Sequence, residues 1–262
     1  MIKVKNIFIY PIKSMPGISL ETTFITPNCI QGDRTMMLID DRNKFVTLRE
    51  EPQLTNFQLK IENESLIISV DREVIKIDEY AWSKNCEDVK IWNDKVQSIT
   101  ALPEINEWLS DHLKKSVRLV KKHRVDSRSK QTTQGVVNTN YVDSYPLLLL
   151  SAETVKHIGT MVNHVLSPLR FRPNIVIQGV EEYGEDDIKT LQSNHLFFNV
   201  DKECYRCKII NMSEATGHID FNLLKTLSLE RRRLRGIALG MKMVSSSSGV
   251  LSIGEELKVT YK

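Results

Sequence analysis

Four cysteines in 262 residues are too few, and too scattered, for a disulfide framework. Cys29 and Cys86 stand alone and only Cys204 and Cys207 are near each other, a usage that fits a reducing compartment. No apolar run approaches the ~20 residues of a membrane span. The N-terminal stretch MIKVKNIFIYPIKS alternates like a strand and carries lysines at positions 3 and 5. It lacks the apolar core and small-residue cleavage site of a secretory signal, so a cytoplasmic location is expected. Charge of one sign is also scarce: a net +3 with both signs intermixed announces neither nucleic acid nor a membrane surface. The most basic stretch, LKKSVRLVKKHRVDSRSK over residues 113–130, has no aromatic residues among its lysines and arginines. Stacking platforms for single-stranded RNA are therefore missing.

What is present reads as a mainly β chain with some helix. Hydrophobic residues at 41% and charged residues at 26% are ordinary for a globular protein. The length suits one large domain or two modest ones. Through the first hundred residues, KVKNIFIYPI, RTMMLID, KFVTL, NFQLKIE, SLIISV, EVIKI and VKIWN alternate or run apolar between turn residues. That spacing predicts a β-barrel-like domain over residues 1–116. It is closed by a helix over 102–115, where Ile105, Trp108, Leu109 and Leu113 share a face. A polar, basic stretch over 121–142 reads as a long loop. Residues 117–262 then read as a second β-barrel domain with a few helices. Its predicted strands include FRPNIVIQGV, SNHLFFNVD and CKIINM, its predicted helices include NLLKTLSLERRR, and a strand pair closes it.

Three clusters of residues carry chemistry. Cys204 and Cys207 form a CxxC without the second Cys or His pair of a zinc site or the four thiolates of an iron–sulfur cluster. A thioredoxin-type pair opens a helix, whereas KIINM reads as a strand. Two buried small hydrophobes are the plain alternative. The flanking Glu203 and Arg206 leave open a thiolate acting as ligand or nucleophile. In YPIKSMPGISL, Lys13 and Ser14 stand in a turn after a strand, where an ammonium, a hydroxyl and backbone N–H groups can meet an anion; an ordinary turn reads as well. Arg34 in GDRTMMLID and Arg172 in FRPNIVIQG lie beside strands. Facing one cleft with Lys13 they would make a phosphate site; apart, they are surface charges.

Taken in order, YPIKS, GDR, FVTLREEPQL, YVDSYPLLLLS, RFRPNIVIQG, CYRC, ATG, LKTL and SSSGVLSIGEEL resemble the MOSC domain family with an N-terminal MOSC β-barrel domain, which includes the mitochondrial amidoxime reducing component and bacterial relatives. The resemblance spans nearly the whole chain. It implies binding of the molybdenum cofactor, a pterin dithiolene bearing a phosphate, with the second cysteine of the CxxC, here Cys207, as an added sulfur ligand of the metal. Molybdenum is thiophilic, so a soft donor suits it. The resemblance further assigns phosphate binding to Lys13, Ser14 and Arg34, with Arg172 from FRPN. It sets Asp143, Ser144, Tyr205 and Arg206 along the cofactor pocket and makes Asp143 a candidate proton source. Generic descriptions of the family add pyridoxal phosphate binding.

The implied activity is reduction of N-hydroxylated compounds such as amidoximes, hydroxylamines or N-hydroxylated bases. The alternative is a carrier that delivers the cofactor or sulfur without turnover. No cysteine-rich ferredoxin module follows the last predicted strand, so electrons are expected from a separate flavin or iron–sulfur protein, docked by the basic segments 121–130 and 230–235. The sequence departs from the family pattern at Ile188, where a Trp is usual, in LQSN after it, and at Tyr145, where a small residue is usual.

Overall fold

The computed structural model describes residues 1–123 and 128–262. Strands make up 45% of it and helices 16%, and seven strands close into a barrel, as the mainly β reading expects. Around the barrel the order is Leu147–Ser151, Ile175–Gln178, Ile2–Ile9, Glu256–Tyr261, Ile188–Gln192, Phe197–Tyr205 and Gly236–Ser245, which pairs back onto Leu147–Ser151. Every pairing is antiparallel except that of Leu147–Ser151 with Ile175–Gln178. Helix α2 (Ala152–Met161) lies between those two parallel strands in the chain, as such a crossover requires.

The N-terminal strand thus sits between two strands from the far half of the chain, with Ile7 opposite Ile175 and Ile2 opposite Leu257. Alternation, reset by a bulge between Val4 and Asn6, explains why it is accepted there: Val4, Ile7 and Ile9 enter the barrel core beside Leu149, Ile177, Phe198 and Met243. Ile188 lies in the same core, and neither it nor any other residue of 183–194 lines the cleft that holds Cys204 and Cys207.

A four-stranded sheet (Met36–Ile39, Arg118–Lys122, Asp94–Ala101, Trp82–Ile91) and a three-stranded sheet (Gln58–Glu62, Ser65–Val70, Glu73–Ile77) hold a separate core. Helix α1 (Pro103–Leu113) packs on it through Ile105, Leu109 and Leu113. Proline at its first turn costs no hydrogen bond, and Lys114 ends it in the left-handed region.

Several local expectations fail for tertiary reasons. KFVTL makes only isolated bridges, through Lys44 and Phe45, with Phe45 in one core and Val46 and Leu48 in another. The stretch 121–142 contains a hairpin, Ser129–Thr132 with Gly135–Asn138. CKIINM is no strand: Lys208–Asn211 is a 3-10 turn that buries Ile210 against helices α2 and α3 (Leu223–Leu227). Asn211 fixes it there by accepting from the Leu224 backbone at 3.0 Å. The last predicted helix is only α3, and its basic tail turns back as the short strand Arg232–Arg233. The closing strand pair is three strands, with Gly249–Ser252 leaving the barrel to pair with Thr22–Ile25.

Candidate functional site

Strand Ile2–Ile9 ends at Tyr10 and Pro11, and the chain must turn because proline offers no N–H to continue a ladder. Tyr10 N donates instead to Asp33 Oδ1 at 2.8 Å, which ties the GDR segment beneath the turn. The Tyr10 ring is buried and stacks with two guanidinium groups, with Arg34 Cζ 4.1 Å and Arg172 Cζ 4.2 Å from its centroid. Gly17 makes room for this stack: a Cβ there would stand 2.6 Å from Tyr10 Cε1.

Ser14, Arg34 and Arg172 all adopt positive φ, at 71°, 46° and 55°. Each such residue costs on the order of 1 kcal/mol or more, and a cluster of three marks a backbone shaped for something other than stability.

The two arginines of the stack are held differently. Arg34 Nη1 donates to both Asp33 oxygens at 2.7 Å. Arg172 donates to the Met15 carbonyl at 2.8 Å and forms no ion pair among the described residues. Burial, and then repulsion from Arg34, bring its pKa down to about 10. A desolvated cation beside another cation is short of a counter-charge.

Lys13 is buried beside this stack. Its Nζ donates to the Tyr141 carbonyl at 3.0 Å and to the Asp143 carboxylate. Burial lowers the amine to about 8, and the attraction of Asp143 offsets only part of that. For Asp143 the crowding of the cleft raises the pKa, but the Lys13 charge and hydrogen bond outweigh it and hold the carboxyl well below its usual range. Trp92 Nε1 adds a donor at 2.9 Å. The Asp143 side chain keeps 57% of its surface in solvent, so water screens the pair.

Cys204 lies on strand Phe197–Tyr205 and Cys207 just past its end, at the start of the 3-10 turn. Both are free thiols. Arg49 Nη2 donates to Cys207 Sγ at 3.4 Å, and Arg206 Nη1 to Cys204 Sγ at 3.4 Å. Arg206 Nε is buried without a hydrogen-bond partner, a second sign of a cation awaiting an anion. Cys86 is exposed on the outer sheet and Cys29 sits by Thr26, so neither joins the CxxC.

All nine residues expected at a site line one cleft of about 390 Å³: Lys13, Ser14, Arg34, Asp143, Ser144, Arg172, Tyr205, Arg206 and Cys207. Cys204 and Tyr145 line it too. Arg49, Trp92, Asn174 and Lys242 also line it but were not singled out as site residues in the sequence. Arg49 lies inside the FVTLREEPQL block, so a signal for it was there. Trp92 had none, because it reaches the cleft from a hairpin tip, with φ 55°, and lays its ring 5.3 Å from the Arg49 guanidinium.

The docking segments are mostly spoken for. Arg128 is buried on Asp94 and on two backbone carbonyls, and Lys130 shares Asp94. Arg124–Ser127 lie outside the described residues. Arg231 is buried on Asp186 and Arg233 pairs with Glu203, leaving Arg232 and Arg235 exposed. No helix among the described residues is long and apolar enough to cross a membrane.

The chain is similar to several known proteins. The MOSC N-terminal beta barrel domain matches residues 1–116 and the MOSC domain residues 137–258. A molybdenum cofactor sulfurase of Oryza sativa subsp. japonica is 25% identical over 92% of the chain. The chain spans only 32% of that protein's length. Mitochondrial amidoxime reducing component 2 of Bos taurus is 26% identical over 83% of the chain and 68% of its own length. Among solved structures, the YUAD protein of Bacillus subtilis covers the whole chain, and 97% of its own, at 10% identity and a TM-score of 0.47. The two domain matches follow one another along the sequence and together take in most of it: the chain belongs to the MOSC domain family with an N-terminal MOSC β-barrel domain.

Proposed function

We propose that this protein binds the molybdenum cofactor and reduces N-hydroxylated compounds such as amidoximes, hydroxylamines or N-hydroxylated bases. One observation carries the reading: a free thiol, Cys207, shares a cleft with cations that lack counter-charges. A phosphate-bearing dithiolene fits both needs, since its phosphate answers the cations and its thiophilic metal answers the sulfur. When bound, the cofactor supplies the two-electron redox chemistry that cleaves an N–O bond.

Lys13, Ser14, Arg34 and Arg172 would hold the phosphate; the guanidinium groups offer paired N–H donors and the strained backbone of three of these residues presets their positions. Ser144, Tyr205 and Arg206 line the remainder of the pocket. Cys207 would be the metal's protein ligand, with the Arg49 guanidinium 3.4 Å from its sulfur. Asp143, the expected proton source, is kept ionised by Lys13. The transferable proton of that pair rests on Lys13 Nζ, and Asp143 acts by orienting it. Pyridoxal phosphate has no use for Cys207 and does not enter this reading. Electrons would come from a separate flavin or iron–sulfur protein. The surroundings are taken to be cytoplasmic, and the chain is taken to divide into domains 1–116 and 117–262.

The test is molybdenum and released pterin in protein from a cofactor-producing host, wild type against Cys207→Ser, followed by amidoxime reduction with a chemical electron donor. Wild type should carry both and turn over; the variant should lose molybdenum, or keep it and be silent. Wild type without molybdenum or pterin ends the proposal.

The sulfurase relatives favour a second reading, a molybdenum cofactor or sulfur carrier. It predicts cofactor content without amidoxime turnover under any donor.

A further inference from the structure

Tyr145 and Lys242 line the cleft but are not among the residues proposed to hold the cofactor. Strand Phe197–Tyr205 is bulged against Gly236–Ser245: Val200 pairs with Met243, and Lys202 already with Lys242. Val200 packs in the barrel core, so strict alternation would send Lys202 inward after it. The extra residue, Asp201, reverses that and sets Lys202 directly across from Lys242, which points outward between the core residues Met241 and Met243. Directly opposed residues of neighbouring strands share a face, and like charges there are destabilising.

Both ammonium groups gather over one ring. Lys202 Nζ is 4.8 Å and Lys242 Nζ 5.9 Å from the centroid of Tyr145. The ring is anchored by its hydroxyl, which donates to Asp201 Oδ2, and Asp201 also accepts from the Thr133 backbone at 2.9 Å. Asp201 is thereby turned to Tyr145 and Thr133, and neither ammonium has an ion pair among the described residues. Tyr145 and Lys242 line the cleft, and Lys202, exposed and outside that lining, reaches the same ring from the neighbouring strand. Lys202 feels the charge of the neighbouring Asp201 without forming an ion pair with it, so a bulge, an anchored aromatic ring and two lysines in register without ion pairs form a receptor for a compact anion, which suits ammonium groups as point charges.

We infer that Lys202 and Lys242 receive a carboxylate on the substrate, so that the cleft selects acidic N-hydroxylated compounds over neutral ones. This rests on the reductase reading for the reacting end of the substrate, while the anion receptor stands on its own geometry. Tyr145, an unusual residue at its position for the family, then acts as the floor that positions both lysines.

The test uses cofactor-loaded wild type, Lys242→Gln and the Lys202→Gln/Lys242→Gln double variant. Isothermal titration compares benzamidine, para-carboxybenzamidine and para-amidinophenyl phosphate, none of which can be reduced. Wild type should bind para-carboxybenzamidine about tenfold more tightly than benzamidine, a difference that shrinks in the single variant and vanishes in the double. Pterin and molybdenum content should be equal in all three. In turnover, the Michaelis constant for para-carboxybenzamidoxime, relative to that for benzamidoxime, should rise about tenfold in the double variant, with little change in the ratio of kcat values. Equal binding of charged and neutral analogues, or a preference that survives the double variant, overturns the inference. Tighter binding of the phosphate than of the carboxylate overturns the choice of carboxylate, and loss of pterin from the variants assigns the lysines to the cofactor instead. Failure of the reductase reading shows separately, as no turnover of either amidoxime while the titration still discriminates.

Discussion

Arg170 and Arg172 are two residues apart in RFRPN, and the structure gives them opposite fates. Arg170 is buried with both Nη groups 2.6 Å from the Asp220 carboxylate and Nε 3.2 Å from Glu214. Arg172 stacks on Tyr10, donates one hydrogen bond to a backbone carbonyl and has no carboxylate to itself. The first arginine is a structural clamp between chain segments; the second is a charge held ready. The same division runs through the basic stretches of the chain. Arg128 and Arg231 are consumed by Asp94 and Asp186, whereas Arg49 and Arg206 spend donors on sulfur. Density of positive charge along the sequence therefore says little about where an anion binds; what matters is which cations lack a partner.

The largest expected effect comes from reversing the charge of the uncommitted arginine. Arg172→Glu should lower pterin content at least a hundredfold, since it removes charge-assisted hydrogen bonds of roughly 1.5–3 kcal/mol and sets a carboxylate against the phosphate. Its melting temperature should stay near that of wild type. Arg170→Gln should do the opposite, keeping pterin but costing about 2–3 kcal/mol, because the pair is buried on one side and a third exposed on the other. At this chain length that corresponds to a fall in Tm of roughly 5–10 °C. If both variants lose pterin equally, the distinction between clamp and receptor fails.

Lys13 sharpens the comparison through pH. Its pKa lies near 8 instead of the ordinary 10.5, so it is charged below pH 8 and neutral above. Binding of inorganic phosphate to cofactor-free protein should weaken as pH rises through 8, and Lys13→Arg should flatten that profile because a guanidinium stays charged. Stability moves the other way. Between about pH 8 and 10.5 the unfolded chain holds a proton that the folded chain has released, so the lysine's contribution to stability grows with pH over that window. A phosphate titration that is flat across pH 7–9.5 would remove Lys13 from the anion site.

The smallest effect is expected at Trp92. Trp92→Phe deletes the hydrogen bond to Asp143, worth about 1 kcal/mol, and keeps most of the ring beside Arg49. Asp143 should then titrate higher by NMR, while pterin content changes less than threefold. A loss as large as that of Arg172→Glu would mean that Trp92 touches the cofactor directly.

Much of this site was legible because each of its segments carries local punctuation. A strand halted by Pro11, a Lys-Ser turn and a CxxC are visible residue by residue, and their order along the chain carried the family resemblance. The misreadings fall where burial overrules propensity. KIINM has strand-forming residues, yet Ile210 finds its apolar surroundings between two helices and Asn211 caps one of them, so a 3-10 turn wins. Arg49 stands inside the FVTLREEPQL block and was within reach of a sequence reading, whereas Trp92 meets Asp143 from 51 residues away. No local pattern encodes such a contact.

The sequence by itself determined the mainly β class, the strands with strong alternation, and which residue types stand at the turns, because these depend on neighbours one to four positions away. Only the tertiary structure decided that strand Ile2–Ile9 closes a barrel built from the far half of the chain, that Arg172 is left without a carboxylate while Arg170 takes two, and that a bulge at Asp201 brings Lys202 beside Lys242. Those are matters of which charges are desolvated together, and the free energy of a buried charge is set by what packs around it in space.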